Sequence, residues 1–350
     1  MLLVIVAAGC VVENPPPPPP PPPPPALPKG LVIQPSSLAE DAQGNLWFTI
    51  LGIPKVGRLD ANGSVTEFKL PPVSFGANIV YAPDANLWMI GITALGSAIA
   101  GNLIRMAPDG SSTLYEIPNT WVPEGMTVGP DGNLWFTAWE AANPDGAVAI
   151  GRMTMGGAAT MYLLPNRGSG PATIASGPER NLWFTESPAG RIGRIDLDGK
   201  ALQYRLKPPG TLPAQIVAGP DGNIWFTINF SHRVARMTPS GQVTEFVLPI
   251  TGEYAAIVSG SDGNLWIAVN HSGPAPNSTA GAIVRLTPAG AATVFEIPSG
   301  ADITGLISRR DGTLEFIERW VSGGQTKIGR ITTAGQITET SMNLSKEPGR

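Results

Sequence analysis

From about residue 30 onward one pattern of apolar and polar positions recurs. A short apolar run such as TIASG (173–177) leads into a turn of the form PDGN. An aromatic run, LWFT, follows, then IGRI or a variant, then a second small turn of the DG, SG or AG kind. Last comes a segment such as VTEFKLP, in which apolar and polar residues alternate. Short aromatic and β-branched runs bounded by turn residues read as strands, and Asp and Gly tolerate the positive φ that tight turns need. Nothing in the repeats has helical spacing with caps.

The repeat is close to literal in places: GPDGNLWFT at 129–137 returns as GPDGNIWFT at 219–227. Its tryptophan falls at Trp47, Trp88, Trp135, Trp183, Trp225 and Trp266, and a seventh copy, DGTLEFIE, carries Glu315 in that place, with spacings of 41 to 49 residues. The third run keeps an arginine all seven times, at Arg58, Arg105, Arg152, Arg194, Arg236, Arg285 and Arg330. A period of 40–50 residues with four strands per unit is a propeller signature. The expected fold is therefore all-β, a seven-bladed β-propeller with four antiparallel strands per blade, over residues 30–343, followed by a tail at 344–350.

What every blade carries is what every blade needs in order to pack. The tryptophan is expected between blades, and the arginine is expected to stack on an aromatic ring or to hold backbone carbonyls. The functional alternative for the arginines is a sevenfold charged ring. Function belongs where the repeat breaks. The turns after strands one and three share one face and are short and uniform. The loops after strand two and the connections between blades share the other face and vary, which makes it the working face. Long second-strand loops are expected at 91–102, 138–149, 270–282 and 319–326. Three tryptophans lie outside the repeat, Trp121, Trp139 and Trp320, all on this face. They suit ligand contact, or else they plug their own loops. The acidic residues there are Glu124, Glu140, Glu186, Asp302 and Glu318, and both histidines, His232 and His271, fall on the same side. Carboxylates converging on a propeller axis could hold a hard cation. No GxSxG, HExxH, P-loop or CxxC motif is present.

Composition narrows this further. The formal net charge is −4 with no long basic run, which disfavours nucleic-acid binding. The single cysteine, Cys10, excludes an intrachain disulfide and a multi-thiolate zinc site. Residues 1–10, MLLVIVAAGC, read as a signal segment; VAAGC resembles a lipobox that would lipidate Cys10, the other reading being an ordinary secretory signal. Residues 11–29 form a linker that includes eleven consecutive prolines at 15–25. Such a tract is a polyproline II spacer of roughly 34 Å, or a ligand for a proline-binding domain. Together these imply an exported monomer in a bacterial envelope, touching membrane only through a lipid anchor.

The paired phrases GPDGNLWFT and IGRI…G.ITEF.LP, in seven ordered copies, resemble the streptogramin B (virginiamycin B) lyase family across nearly all of 30–343. The resemblance implies a seven-bladed propeller and a Mg²⁺-dependent lyase that opens cyclic depsipeptide lactones by elimination, with a histidine base. In the family the first strands of the last two blades begin Pro-His, the final one preceded by Glu. Here the histidine places hold Ala255 and Thr304, and Asp302 stands for the acid. The family's second glutamate falls on Arg319, one residue after Glu318. The catalytic candidates left are His271, Glu318 and Asp302, of which Asp302 and Glu318 are also the metal candidates. Three functions stay open: a non-catalytic module binding a small molecule, peptide or glycan; the lyase with displaced groups; and a lactonase-type hydrolase. The ligand-binding candidates are Trp121, Glu124, Trp139, Glu140, Glu186 and Trp320.

Overall fold

In a computed structural model, which describes residues 34–51, 53–73, 75–95, 98–118, 121–141, 146–270, 281–319 and 326–342, the seven units form seven four-stranded antiparallel sheets. The blades span 34–69, 75–116, 121–163, 171–205, 213–247, 253–296 and 302–341. Strands follow chain order within every sheet, so no blade borrows a strand from another. The first strands lie against one another around the axis, and that of blade 1 meets that of blade 7, closing the ring. Each first strand carries a register shift at the same place, such as between Phe136 and Ala138 in the pairing of blade 3. A bulge there turns one residue of each inner strand out of the ladder.

The repeated tryptophans are buried between their own blade and the next; Trp135, for instance, packs with Ile174, Leu182 and Phe184 of blade 4. Each stacks on an aromatic ring of strand four in its own blade, at centroid separations of 5.1 to 6.0 Å. The repeat arginine lies over this ring pair, as Arg236 lies 5.7 Å from Trp225 and 5.6 Å from Phe246. It also reaches the following blade: Arg58 Nη1 donates to the Pro108 carbonyl (3.1 Å) and Arg285 Nη1 to that of Thr333 (2.9 Å). The third layer is a turn glycine of the following blade at positive φ. A Cβ on Gly157 would strike Tyr115, and one on Gly335 would strike Phe295. The indole N–H donates to the turn aspartate, as Trp135 does to Asp131 (3.0 Å) and Trp225 to Asp221 (2.9 Å). Burial alone would raise the Asp131 carboxyl. The hydrogen bonds from Asn133 and Trp135, with Arg152 nearby, outweigh it and hold the group below its usual range. The arginines of blades 1 to 6 are thus bracing, each lying over a ring of its own seam.

Blade 4 departs from this, because GPERN replaces GPDGN. Glu179 and Arg180 take positive φ (59° and 58°), Glu179 pairs with Arg194 (3.4 Å), and the buried Trp183 indole N–H has no acceptor among the described residues.

Blade 7 departs more. Glu315 replaces the tryptophan and Thr340 the strand-four aromatic. The seam to blade 1 is closed by charge instead. Arg309 pairs with Glu315 and with Glu40 (3.1 Å) and donates to the Gly44 carbonyl (2.6 Å). The Arg310 amide donates to Glu40 (3.0 Å), and its side chain donates to the Asp41 carbonyl (2.8 Å).

Two expected loops are shorter than anticipated. Residues 91–102 belong to a protruding hairpin, Leu87–Leu95 with Ala98–Met106, in register from Gly91↔Asn102 to Leu95↔Ala98. The apolar run GITAL opposite AIAGN simply continues the ladder. The 138–149 segment likewise begins and ends inside strands, with Ala138 paired to Ala149 and Trp139 to Val148.

Candidate functional site

On the working face, the bulged position of the inner strands defines a ring around the axis. It is occupied by Glu124 in blade 3, Ala172, Ala214 and Ala255 in blades 4 to 6, and Thr304 in blade 7, while in blade 2 the register skips Asn78 instead and Ala77 stays paired with Ile90. Apart from Glu124, these positions carry small side chains. Glu124 is its one charged member among the described residues. It stays solvent-accessible while its strand neighbours are buried, and the surrounding protein raises its carboxyl above the usual range by desolvation. The ring is rigid from behind. Thr137 Oγ1 donates to the Ala172 carbonyl (2.7 Å), Thr173 Oγ1 to that of Ala214 (2.6 Å), and the Asn270 amide makes two bonds to the backbone of Ile303 (2.7 and 2.8 Å).

The other residues singled out from the sequence divide sharply. Trp139 ends strand two of blade 3 and is 37% exposed, facing outward at the rim. Glu140, the next residue, sits opposite Trp121 at the end of the ladder. Trp121 is the first residue of an inner strand rather than part of a connection, and it is only 4% exposed. It packs with Leu103, Ile117 and Ala138, filling the seam between blades 2 and 3, so of the two readings for this tryptophan it is the plug. Glu186 is fully enclosed, its carboxylate accepting both hydrogen bonds from Gln203 (2.8 and 2.9 Å), and it has no surface to offer a ligand. Burial raises its carboxyl despite Ser169, Arg191 and Gln203.

Glu318 occupies the equivalent place in blade 7 and is equally enclosed. Ser299 Oγ donates to its Oε2 (2.7 Å), and Oε1 has no hydrogen-bond partner among the described residues. Burial raises its carboxyl; Ser299 works against this, and the neighbouring charge of Glu339 adds to it. Asp302 is ion-paired to Arg319 (3.3 Å), its direct register partner. His232 is half-buried in a tight loop at φ 53°, its ring pairs with no carboxylate among the described residues, and its backbone carbonyl accepts from Leu248 (3.0 Å). Cys10, His271 and Trp320 lie outside the described residues. The sequence reading passed over Phe230, which is 81% exposed on the same face beside Asn229 and Ser231. Its signal was an aromatic two residues past the strand IWFTI (Ile224–Ile228), in a loop too short to bury it.

The Mg²⁺ implied by the resemblance finds no fitting donor set in these residues. A guanidinium stands where the second carboxylate would be and already neutralises Asp302, and the Glu318 carboxylate is enclosed. Among the described residues, no three His, Cys, Asp or Glu groups stand together as a metal site.

Seven sequential four-stranded blades around an axial ring of first strands make this an all-β, seven-bladed propeller. The virginiamycin B lyase family model matches residues 27–144 and 122–348, and the chain belongs to that family. Among solved structures it is similar to a streptogramin B lyase (28% identity, TM-score 0.68, covering 81% of this chain and 90% of that one). It is similar also to virginiamycin B lyase from Staphylococcus aureus (26% identity, TM-score 0.68, covering 89% and 96%). A third is a catalytically inactive histidine-to-alanine form of the Staphylococcus aureus lyase, solved with quinupristin (25% identity, TM-score 0.67, covering 89% and 96%). A search of curated proteins found no significant match.

Proposed function

We propose that this chain is an exported ligand-binding member of the family, which takes a small molecule, peptide or glycan at the axial ring and rim of its working face without opening it. The observation that carries this reading is the pair Ala255 and Thr304 at the two places where the resemblance puts histidines. Proton abstraction beside an ester carbonyl needs a positioned base and a stabilised oxyanion. Neither side chain is basic, and the carboxylates considered as substitutes are enclosed (Glu318) or ion-paired (Asp302). Binding needs less: one accessible carboxylate in Glu124 and a rim aromatic in Trp139. The quinupristin-bound inactive lyase supports the separation, since that protein holds the antibiotic while lacking a catalytic histidine.

The test is incubation of the full chain with quinupristin, with and without Mg²⁺, followed by calorimetry and mass spectrometry. The expected result is a ring left intact, with Trp139→Ala weakening any binding that calorimetry detects. A linear product of unchanged mass would instead establish the Mg²⁺-dependent lyase, and a product heavier by one water would establish hydrolysis. The segment at 1–29 supports export and tethering through Cys10. Detergent-phase partition that disappears in Cys10→Ser is the expected outcome; partition unchanged by the substitution would remove the lipid anchor.

A further inference from the structure

The seam between blades 7 and 1 opens a cleft of about 770 Å³ on the turn face, away from the working face. Its origin lies in the two substitutions described above. In the other six seams a tryptophan, a strand-four aromatic and a turn glycine of the following blade form a filled stack. Here Glu315 and Thr340 replace both rings, and the corresponding glycine, Gly63, is left uncovered: among the described residues, a Cβ built on it meets nothing within 4 Å. Arg330 completes the picture. The other six repeat arginines each lie over a ring of their own blade at 5.4 to 5.9 Å, whereas Arg330 has no ring beneath it among the described residues. It is held at its edge instead, by Glu315 (3.2 Å) and Asp311 (3.0 Å), and remains part-exposed. The inner wall is apolar, formed by Leu46, Ile328 and Met342.

We infer that this cleft is a binding site for a small planar aromatic molecule, whose ring takes the place of the seventh aromatic between Arg330 and the Gly63 turn. The physical case is complementarity of kind. A guanidinium oriented by two carboxylates presents a cation to a ring face, and an uncovered glycine turn offers the flat surface that six sister turns present to rings. An anion is disfavoured, because Arg309 and Arg330 are already ion-paired and Arg310 is taken up by backbone and by the Tyr81 ring at 5.8 Å. The site is independent of the working face and of whatever binds there.

The probe is indole, titrated into the full chain and followed by amide chemical shifts and saturation-transfer NMR, with cyclohexanol as a non-aromatic control. Indole should bind saturably with a Kd of roughly a millimolar or tighter, the range that a ligand of this size allows. Ring-current shifts should centre on the amides of Gly63 and Thr340, and cyclohexanol should bind at least about tenfold more weakly, because it has no ring face for the guanidinium. Thr340→Phe should weaken indole at least about tenfold by filling the slot, and Thr340→Val should leave it within about twofold. No saturable binding to folded protein, shifts centred elsewhere, equal binding of cyclohexanol, or unchanged affinity in folded Thr340→Phe would each overturn the inference. The wild-type shift map stands without any variant, should Thr340→Phe fail to fold.

Discussion

Six of the seven seams are held by rings, and the seventh is held by charge. In an aromatic seam such as that of Trp135, the indole buries its full area, stacks on Tyr162, and satisfies its one polar atom on Asp131. In the seventh, Arg309 joins Glu315, Glu40 and the Gly44 carbonyl across the ring closure. The two designs fail differently. An aromatic seam tolerates loss of one contact because dispersion is spread over many atoms. A charged seam does not, because each group was taken out of water on condition that its partner was there.

The largest expected effect follows from that. Arg309→Ala takes the ion-pair partner from Glu40 and one of two from Glu315, both side chains about nine-tenths buried, and should cost about 3–5 kcal/mol. Denaturant melts would read this, and a loss below about 1 kcal/mol would mean that water reaches the seam and the pairs count as surface pairs.

The aromatic seams can be compared with one another through the polar atom of the indole. Trp135→Phe strips Asp131 of a donor, while Trp183→Phe removes an indole N–H that has no acceptor. Beyond the loss of ring area common to both, the first should cost about 1.5–3 kcal/mol more, the worth of a hydrogen bond to a charged group. Equal losses in thermal melts would show the aspartate to be indifferent. The same reasoning run backwards predicts repair: Glu179→Asp with Arg180→Gly restores the PDGN-type turn and should gain about 1–2 kcal/mol, by removing side chains from left-handed backbone and supplying the Trp183 acceptor.

The smallest effects are in the pH dependence, where seams and blade interiors pull in opposite directions. The seam aspartates Asp131, Asp221 and Asp262 are held below their usual range, because hydrogen bonds from Trp and Asn outweigh burial. The unfolded chain therefore binds protons more readily at these sites, and their stabilising effect is lost as pH falls through the folded-state values. Burial raises Glu318, so the folded state is the better proton binder there, and stability is lost as pH rises through its folded value. Glu318→Gln should flatten the upper side of the stability–pH curve and leave the acid side in place. An unchanged upper side would assign that decline to another group, of which Glu186 is the first to examine.

Much of the molecule was legible before folding. The tryptophan and arginine spacings located all seven blades, and the seventh copy's missing tryptophan was visible as Glu315. The candidate site was legible only in outline. The family resemblance placed Ala255 and Thr304 at matching positions of their inner strands, and the bulge puts them there together with Glu124. Trp121 and Trp139 looked alike in sequence, both tryptophans off the repeat, yet one is buried in a seam and the other faces out at the rim. Glu186 and Glu318 looked like surface acids after an aromatic strand, and both are enclosed.

What the sequence determined by itself, then, is everything set by local periodicity: the strands, the tight turns, the count of blades and the order of strands within each. These depend on residues within about ten positions of one another, where apolar alternation and turn chemistry act directly. What only the tertiary structure decided is which side chains are covered. Coverage depends on what the neighbouring blade, some forty residues away, brings against each position. That is why the absence of an aromatic at Thr340 became visible as a cleft only once the Gly63 turn of blade 1 was seen standing over nothing.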